Sequence, residues 1–267
     1  MKILFDNNAF AYLSQRLENR SLITFLNKLT TSSKIEIIGS CTLLQELSGL
    51  SHSNYQLYQA TLADYRQLTV GRILRPHNDI LIDEGEQLKP VTFEKSLLNA
   101  EQVRNLFDNL LDPINAKDIF EEVGSIKTKY SVNMEDATAD ILNLPELRTA
   151  TASDISKGYK HWFESFPAEL QTYFSKLFNI NIEYNVNSLP HVSMFLGYAL
   201  TRIYERFTFG KKNTGNDLLD RAHFTDASVV DIIVTNDNAF INTSLRVPNR
   251  TFDILRLDEF EIFVNRL

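Results

Sequence analysis

Cysteine is almost missing from this chain. The single thiol, Cys41, excludes an intramolecular disulfide and any cysteine-built zinc site, and fits a reducing cytosol. It lies in the apolar run Ile37-Ile38-Gly39-Ser40-Cys41, where a small buried residue is expected rather than a nucleophile. No uninterrupted apolar stretch reaches membrane-spanning length, and the polar break at Asp6-Asn7-Asn8 comes too early for a signal peptide, so a cytoplasmic protein is expected. The histidines, at positions 52, 77, 161, 191 and 223, show no zinc-ligand spacing. A Gly-rich phosphate loop is absent, and no Ser-His-Asp triad can be assembled with any specificity. There is no internal repeat, no low-complexity linker and no block of like charge long enough for a disordered tail. Basic residues are also short, 27 Lys and Arg against 34 Asp and Glu for a net charge of −7, which argues against a packaging or coating protein and confines any nucleic-acid surface to a local patch.

What is present is enough apolar residue, 43%, to build a sizeable core. Lys2-Ile3-Leu4-Phe5 is a short apolar run ending in Asp6-Asn7-Asn8, followed by Phe10, Leu13, Leu17, Ile23, Phe25 and Leu26 at helical spacings. Residues 34–38 predict a second strand, and Thr42 to Leu50 a helix that stops near Gly49. Late in the chain, Asn216 to Ser228 predicts a helix capped by Asn216 with an acidic first turn. Val230 to Thr235 and residues 251–255 predict strands, and Asp258 to Leu267 a closing helix. Strands alternating with helices predict an α/β fold, a central parallel sheet flanked by helices. Its discontinuous core spans 1–50 and 213–267, and residues 51–212 form a large, mostly helical insertion packed on it. Within the insertion, 95–111, 114–124, 159–178 and 190–207 carry helical apolar spacing, and Gly71 to Ile82 is extended or looped around Pro76. Trp162, Phe163, Phe166, Tyr173, Phe174 and Phe178 recur at helical intervals and are expected in a core rather than on a base-stacking face.

In a parallel α/β sheet the carboxyl ends of the strands and the starts of the helices share one edge. That edge collects acidic residues here. Asp6 ends the first strand, Glu46 lies in the opening turns of the helix after the second, Asp217 and Asp220 lie in the first turn of the late helix, and Asp237 follows the strand ending at Thr235. Carboxylates packed this way raise one another's pKa unless a cation neutralises them. Oxygen ligands without His or Cys suit Mg²⁺ or Mn²⁺, which can activate water and stabilise both oxygens of a phosphodiester displacement. Asn8 and Thr235 are placed to orient Asp6 and Asp237.

These residues resemble the PIN domain, a metal-dependent nuclease family. The resemblance rests on Phe5-Asp6-Asn7-Asn8, on Glu46 in Thr42-Leu-Leu-Gln-Glu-Leu47, on Asp220 in Asp217-Leu-Leu-Asp-Arg-Ala-His223, and on Asp237 in Val234-Thr-Asn-Asp-Asn-Ala-Phe240. Order agrees, as does the 17-residue separation of Asp220 and Asp237. It covers about residues 1–50 and 215–260, and the long central segment is more like enlarged PIN-like proteins than compact toxin-type members.

The resemblance implies a Mg²⁺- or Mn²⁺-dependent ribonuclease, an endonuclease, with Asp6, Glu46, Asp220 and Asp237 as metal ligands and catalytic carboxylates. RNA is the expected substrate; single-stranded DNA, a homodimer and an antitoxin-like protein partner stay open. Two further readings stay open as well. One is the same fold without turnover, serving as a nucleic-acid-binding or protein-interaction module; the other is a metal-dependent phosphoesterase of a small molecule. Asp217 either joins the metal or caps its helix. Arg202, Arg206, Lys211 and Lys212 either clamp a phosphate backbone or form a solvated basic helix end. His223, one turn after Asp220, is expected to support the ligands or join the core. Glu135, Asp136 and Asp140 are expected on a solvated face.

Overall fold

The computed structural model describes residues 1–142, 151–165, 188–212, 214–248 and 250–267. Five short strands form an all-parallel sheet in the order β3-β2-β1-β4-β5. Strand β1 (Lys2–Phe5) is its centre, and the helices α1 (Asn7–Gln15) and α2 (Arg20–Thr31) carry the chain back to β2 (Glu36–Ser40). The register sets Ile3 between Ile37 on β2 and Ile232 on β4. Successive side chains point to opposite faces of a strand, so Ile3, Phe5, Ile37, Ile232 and Val234 join one hydrophobic cluster and Leu4, Ile38 and Ile233 the other. Both faces are covered, which is why β1 reads as an unbroken apolar run instead of an alternating one. Each of these buried apolar side chains contributes about 1.5–3 kcal/mol.

Ser40 ends β2 and caps α3 (Cys41–Ser53), its hydroxyl accepting the Leu43 N–H at 3.1 Å. The helix does not stop at Gly49. That residue lies inside it against Phe120, and a Cβ there would come within 3.2 Å of the ring, so the glycine serves close packing instead of termination.

The parallel unit continues past residue 50. Helix α4 (Tyr55–Thr69) buries Tyr58, Leu62 and Tyr65 in the same cluster as Ile3 and Phe5, and β3 (Ile73–Leu74) then hydrogen-bonds to β2 at the sheet edge. The Tyr65 hydroxyl accepts the Ser40 N–H at 2.6 Å, and Gly39 passes so close to Tyr65 and Ile73 that a Cβ would meet the Ile73 Cδ1 at 2.3 Å.

Helices α5 (His77–Gln87), α6 (Phe93–Ser96), α7 (Ala100–Leu111), α8 (Pro113–Leu142) and α9 (Ala152–Ser165) follow, so α8 runs well beyond the predicted 114–124. Helix α10 (Pro190–Phe209) lays Met194 and Tyr198 on the second face of the sheet beside Leu4 and Phe224. Its first N–H groups are capped from another helix: Glu84 of α5, fully buried, accepts those of His191 at 2.9 Å and Val192 at 3.2 Å.

After α11 (Asn216–Asp226) come β4 (Ile232–Val234), α12 (Asn238–Ser244), β5 (Asp253–Leu255) and the closing α13 (Leu257–Val264). The cap residue of α11 is Gly215, not Asn216. No described helix is long and apolar enough to cross a membrane. The expectations for the side chains of Glu135, Asp136, Asp140, Trp162, Phe163, Phe166, Tyr173, Phe174 and Phe178 fall outside what is described.

Candidate functional site

Strands β1 and β4 end side by side, and each hands its chain to a helix through an aspartate. Asp6 caps α1, its Oδ1 accepting the Ala9 N–H at 2.8 Å; Asp237 caps α12, its Oδ1 accepting from Ala239 at 2.7 Å and Phe240 at 3.0 Å. Thr235 links the two. Its hydroxyl donates to Asp6 Oδ2 and accepts the Asp237 N–H at 3.0 Å, so one buried side chain ties the Asp6 carboxylate to the Asp237 backbone. Asn8 donates its side-chain amide to Asp237 Oδ2 at 3.3 Å. Asn8 and Thr235 thus contact the residues they were expected to orient.

Glu46 of α3 and His223 of α11 meet across this edge, Nε2 to Oε2 at 2.7 Å. Burial by itself would push the His223 imidazole down. The Glu46 hydrogen bond, with the charges of Glu46, Asp6 and Asp226, outweighs it and lifts the group to about 9, so it is an imidazolium at neutral pH. Asp226, buried at the end of α11, accepts the Thr42 hydroxyl at 2.9 Å, and its carboxyl is pushed up to about 7 by burial.

The remaining carboxylates feel one another. Asp6 is 5% exposed; burial pushes it up to about 6 despite its bonds to Thr235 and Ala9, with Glu46 adding to the rise and His223 opposing it. Burial likewise pushes Asp220 up to about 7, helped by the negative charges of Asp237, Asp217 and Glu46 and opposed by His223. Asp6, Glu46, Asp220 and Asp237 therefore share one electrostatic site, and the His223 imidazolium belongs to it. As the side chains stand, no three His, Cys, Asp or Glu groups among the described residues are placed to hold a metal ion. The donor chemistry nevertheless fits a hard divalent cation: the donors are carboxylate oxygens, and repulsion among them adds to the rise that burial gives Asp6 and Asp220.

Asp217 is engaged elsewhere. Its Oδ1 lies 2.9 Å from Arg202, and its Oδ2 accepts from the Thr214 N–H and hydroxyl at the start of α11. Arg202, 8% exposed, also donates to Glu205 at 2.7 Å and to the Lys212 carbonyl at 3.1 Å. Glu205 is fully buried and in addition takes Lys211 at 3.0 Å, the Thr243 hydroxyl at 2.9 Å and Arg246. Although burial works to raise it, these donors hold the Glu205 carboxyl below the usual range. Of the basic stretch, Arg202 and Lys211 thus turn inward to carboxylates, Arg206 is half-buried and engaged, and Lys212 is exposed.

Glu205, Thr243, Arg246 and Asp226 escape a reading of sequence alone. The one local signal is the i,i+3 spacing of Arg202 and Glu205. Cys41 is partly buried rather than buried, and its chemistry is as expected: its thiol donates to the Leu74 carbonyl at 3.2 Å and burial pushes it up to about 12, far from a nucleophile.

The chain matches no family model, no curated protein and no solved structure.

Proposed function

We propose that this protein is a Mg²⁺- or Mn²⁺-dependent ribonuclease, an endonuclease of PIN-like architecture enlarged by helices inserted between the third strand and the late ones. The observation that carries this reading is the electrostatic coupling of Asp6 to Glu46 and of Asp220 to Glu46 and Asp237, which adds to burial in raising Asp6 and Asp220. A fold under no demand to bind a cation has no physical reason to gather these charges.

Asp6, Glu46, Asp220 and Asp237 would hold the metal, which when bound supplies charge neutralisation at the phosphate and lowers the pKa of water. The protein's own part is positioning. Thr235 and Ala9 fix both oxygens of Asp6, and the Ala239 and Phe240 amides fix one oxygen of Asp237 and leave the other toward Asn8. His223 holds the Glu46 carboxylate in place through its Nε2 contact.

A non-catalytic module of the same fold is the competing reading, and His223 favours it: an internal imidazolium already offsets part of the acidic charge. Incubation of labelled RNA and single-stranded DNA with the protein, in Mn²⁺ or in chelator, separates the two. The expected result is cleavage of RNA in Mn²⁺ alone, abolished by Asp6→Asn and by Asp237→Asn. Intact RNA and DNA in Mn²⁺, or cleavage that survives both substitutions, refutes the nuclease.

A further inference from the structure

Next to the carboxylates lies a pocket of about 330 Å³, bounded by α3, α5, α8, α10 and α11. That is the low end of the range for small-ligand sites. Its lining is mixed in a particular way. Phe195 contributes an aromatic ring with the Arg221 guanidinium 4.1 Å from its centroid; Gln45 and Asn78, both exposed, bring carboxamides; α8 brings the exposed Ile126. His77 lines it too, and burial together with the Arg221 and His223 cations holds its imidazole down to about 3, so it offers one donor and one acceptor and no charge.

The pocket and the carboxylate site are out of step by one residue on two helices. On α3, Gln45 lines the pocket and Glu46 joins the acids; on α11, Leu219 and Arg221 line the pocket and Asp220, between them, joins the acids. A phosphodiester held at the acids therefore has a concave, partly aromatic compartment within reach of its own nucleotide. A planar heteroaromatic ring would lie flat against Val123, Leu218 and Leu219, with donor and acceptor pairs from Gln45, Asn78 and His77 at its edge.

We infer that this pocket binds an unpaired nucleobase, and that the base belongs to the strand cut at the neighbouring carboxylates, so the enzyme selects a splayed-out nucleotide and not a stacked duplex. The second half of this inference rests on the nuclease reading; base binding does not.

The test is run in chelator, where no cleavage occurs. The four ribonucleoside 5′-monophosphates and ribose 5-phosphate are titrated against the whole protein by saturation-transfer NMR, with a short single-stranded RNA as competitor. Expected are saturation of base protons for at least one nucleotide, no comparable signal from ribose 5-phosphate, and displacement by the RNA. Gln45→Ala and Asn78→Ala, both surface substitutions, should each weaken nucleotide binding about fivefold, the worth of one ordinary hydrogen bond. Nucleotides that bind no better than ribose 5-phosphate, or binding indifferent to both substitutions, overturn the pocket. Nucleotide binding that RNA does not displace overturns the assignment to a strand, leaving a free-nucleotide site. Base binding in a protein that cuts nothing in Mn²⁺ sinks the nuclease and keeps the pocket.

Discussion

Asp6 gives one oxygen to the Ala9 N–H and the other to the Thr235 hydroxyl, yet burial still pushes its carboxyl up to about 6, and Asp220 is pushed further, to about 7. A carboxyl whose pKa is higher in the fold than in the unfolded chain adds stability that is complete below the unfolded value and lost as pH rises through the folded one. At neutral pH the ionised Asp220 therefore works against folding. Asp220→Asn should raise Tm in metal-free buffer by about 2–4 °C while removing cleavage, a trade of activity for stability seen by differential scanning calorimetry beside an RNA assay. A lower Tm in the variant would mean that Asp220 braces the fold. The four acids were legible because each stands where a strand ends or a helix opens, a relation carried by a few consecutive residues. Asn8 and Thr235, beside two of them in the same turns, were legible too; partners from distant segments were not. His223 lies 177 positions from Glu46, and Thr42 lies 184 from Asp226, and spacing along a chain says nothing about contacts of that range.

Helices α10, α11 and α12 are pinned to one another by Glu205, through Arg202 to Asp217 on α11 and through Thr243 on α12. Asp220 and Asp237 ride on those two helices, so this buried ion network sets their spacing. Replacing Glu205 by Gln leaves its cations facing a neutral amide and should cost about 3–5 kcal/mol at pH 7 in urea unfolding. Glu205 has a depressed pKa, so its contribution is present above the unfolded value of 4.5 and is lost as pH falls through the lower folded one. The gap between wild type and Glu205→Gln should narrow accordingly below pH 4.5; a constant gap would show that the carboxylate's charge is not what matters. A second element-scale test concerns the close approach of β2 to β3. Gly39→Ala should destabilise by about 1–3 kcal/mol, and Ile73→Val, which removes the colliding Cδ1, should recover part of that loss in the double variant. Additive costs would exclude the collision as the cause. Strand β3 escapes the sequence because two residues are too few to show a period, and the cap of α10 escapes because Leu189 cannot supply it and Glu84, 107 positions from His191, does.

At the scale of the molecule, a net charge of −7 and a sheet edge crowded with acids oppose the approach of any phosphate chain until cations intervene. Mn²⁺ at about a hundred times its dissociation constant should stabilise the protein by roughly 2.7 kcal/mol and raise Tm by about 5–10 °C, and the rise should vanish in Asp6→Asn. No rise in wild type would deny the site a metal. The α/β class and the parallel sheet were readable from the alternation of strands with helices; the sheet order was not, since nothing local says that β1, the first strand made, pairs on one side with β4. That pairing has a consequence for synthesis. Asp6 meets Thr235, and Asn8 meets Asp237, across 229 positions, so the closing contact is among the longest loops the chain can form. A ribosome releases β1, β2 and α3 long before it makes α11 and β4. Throughout that interval Asp6 and Glu46 stand without Asp220 and Asp237, so the nuclease proposed above would stay harmless to the message still being translated.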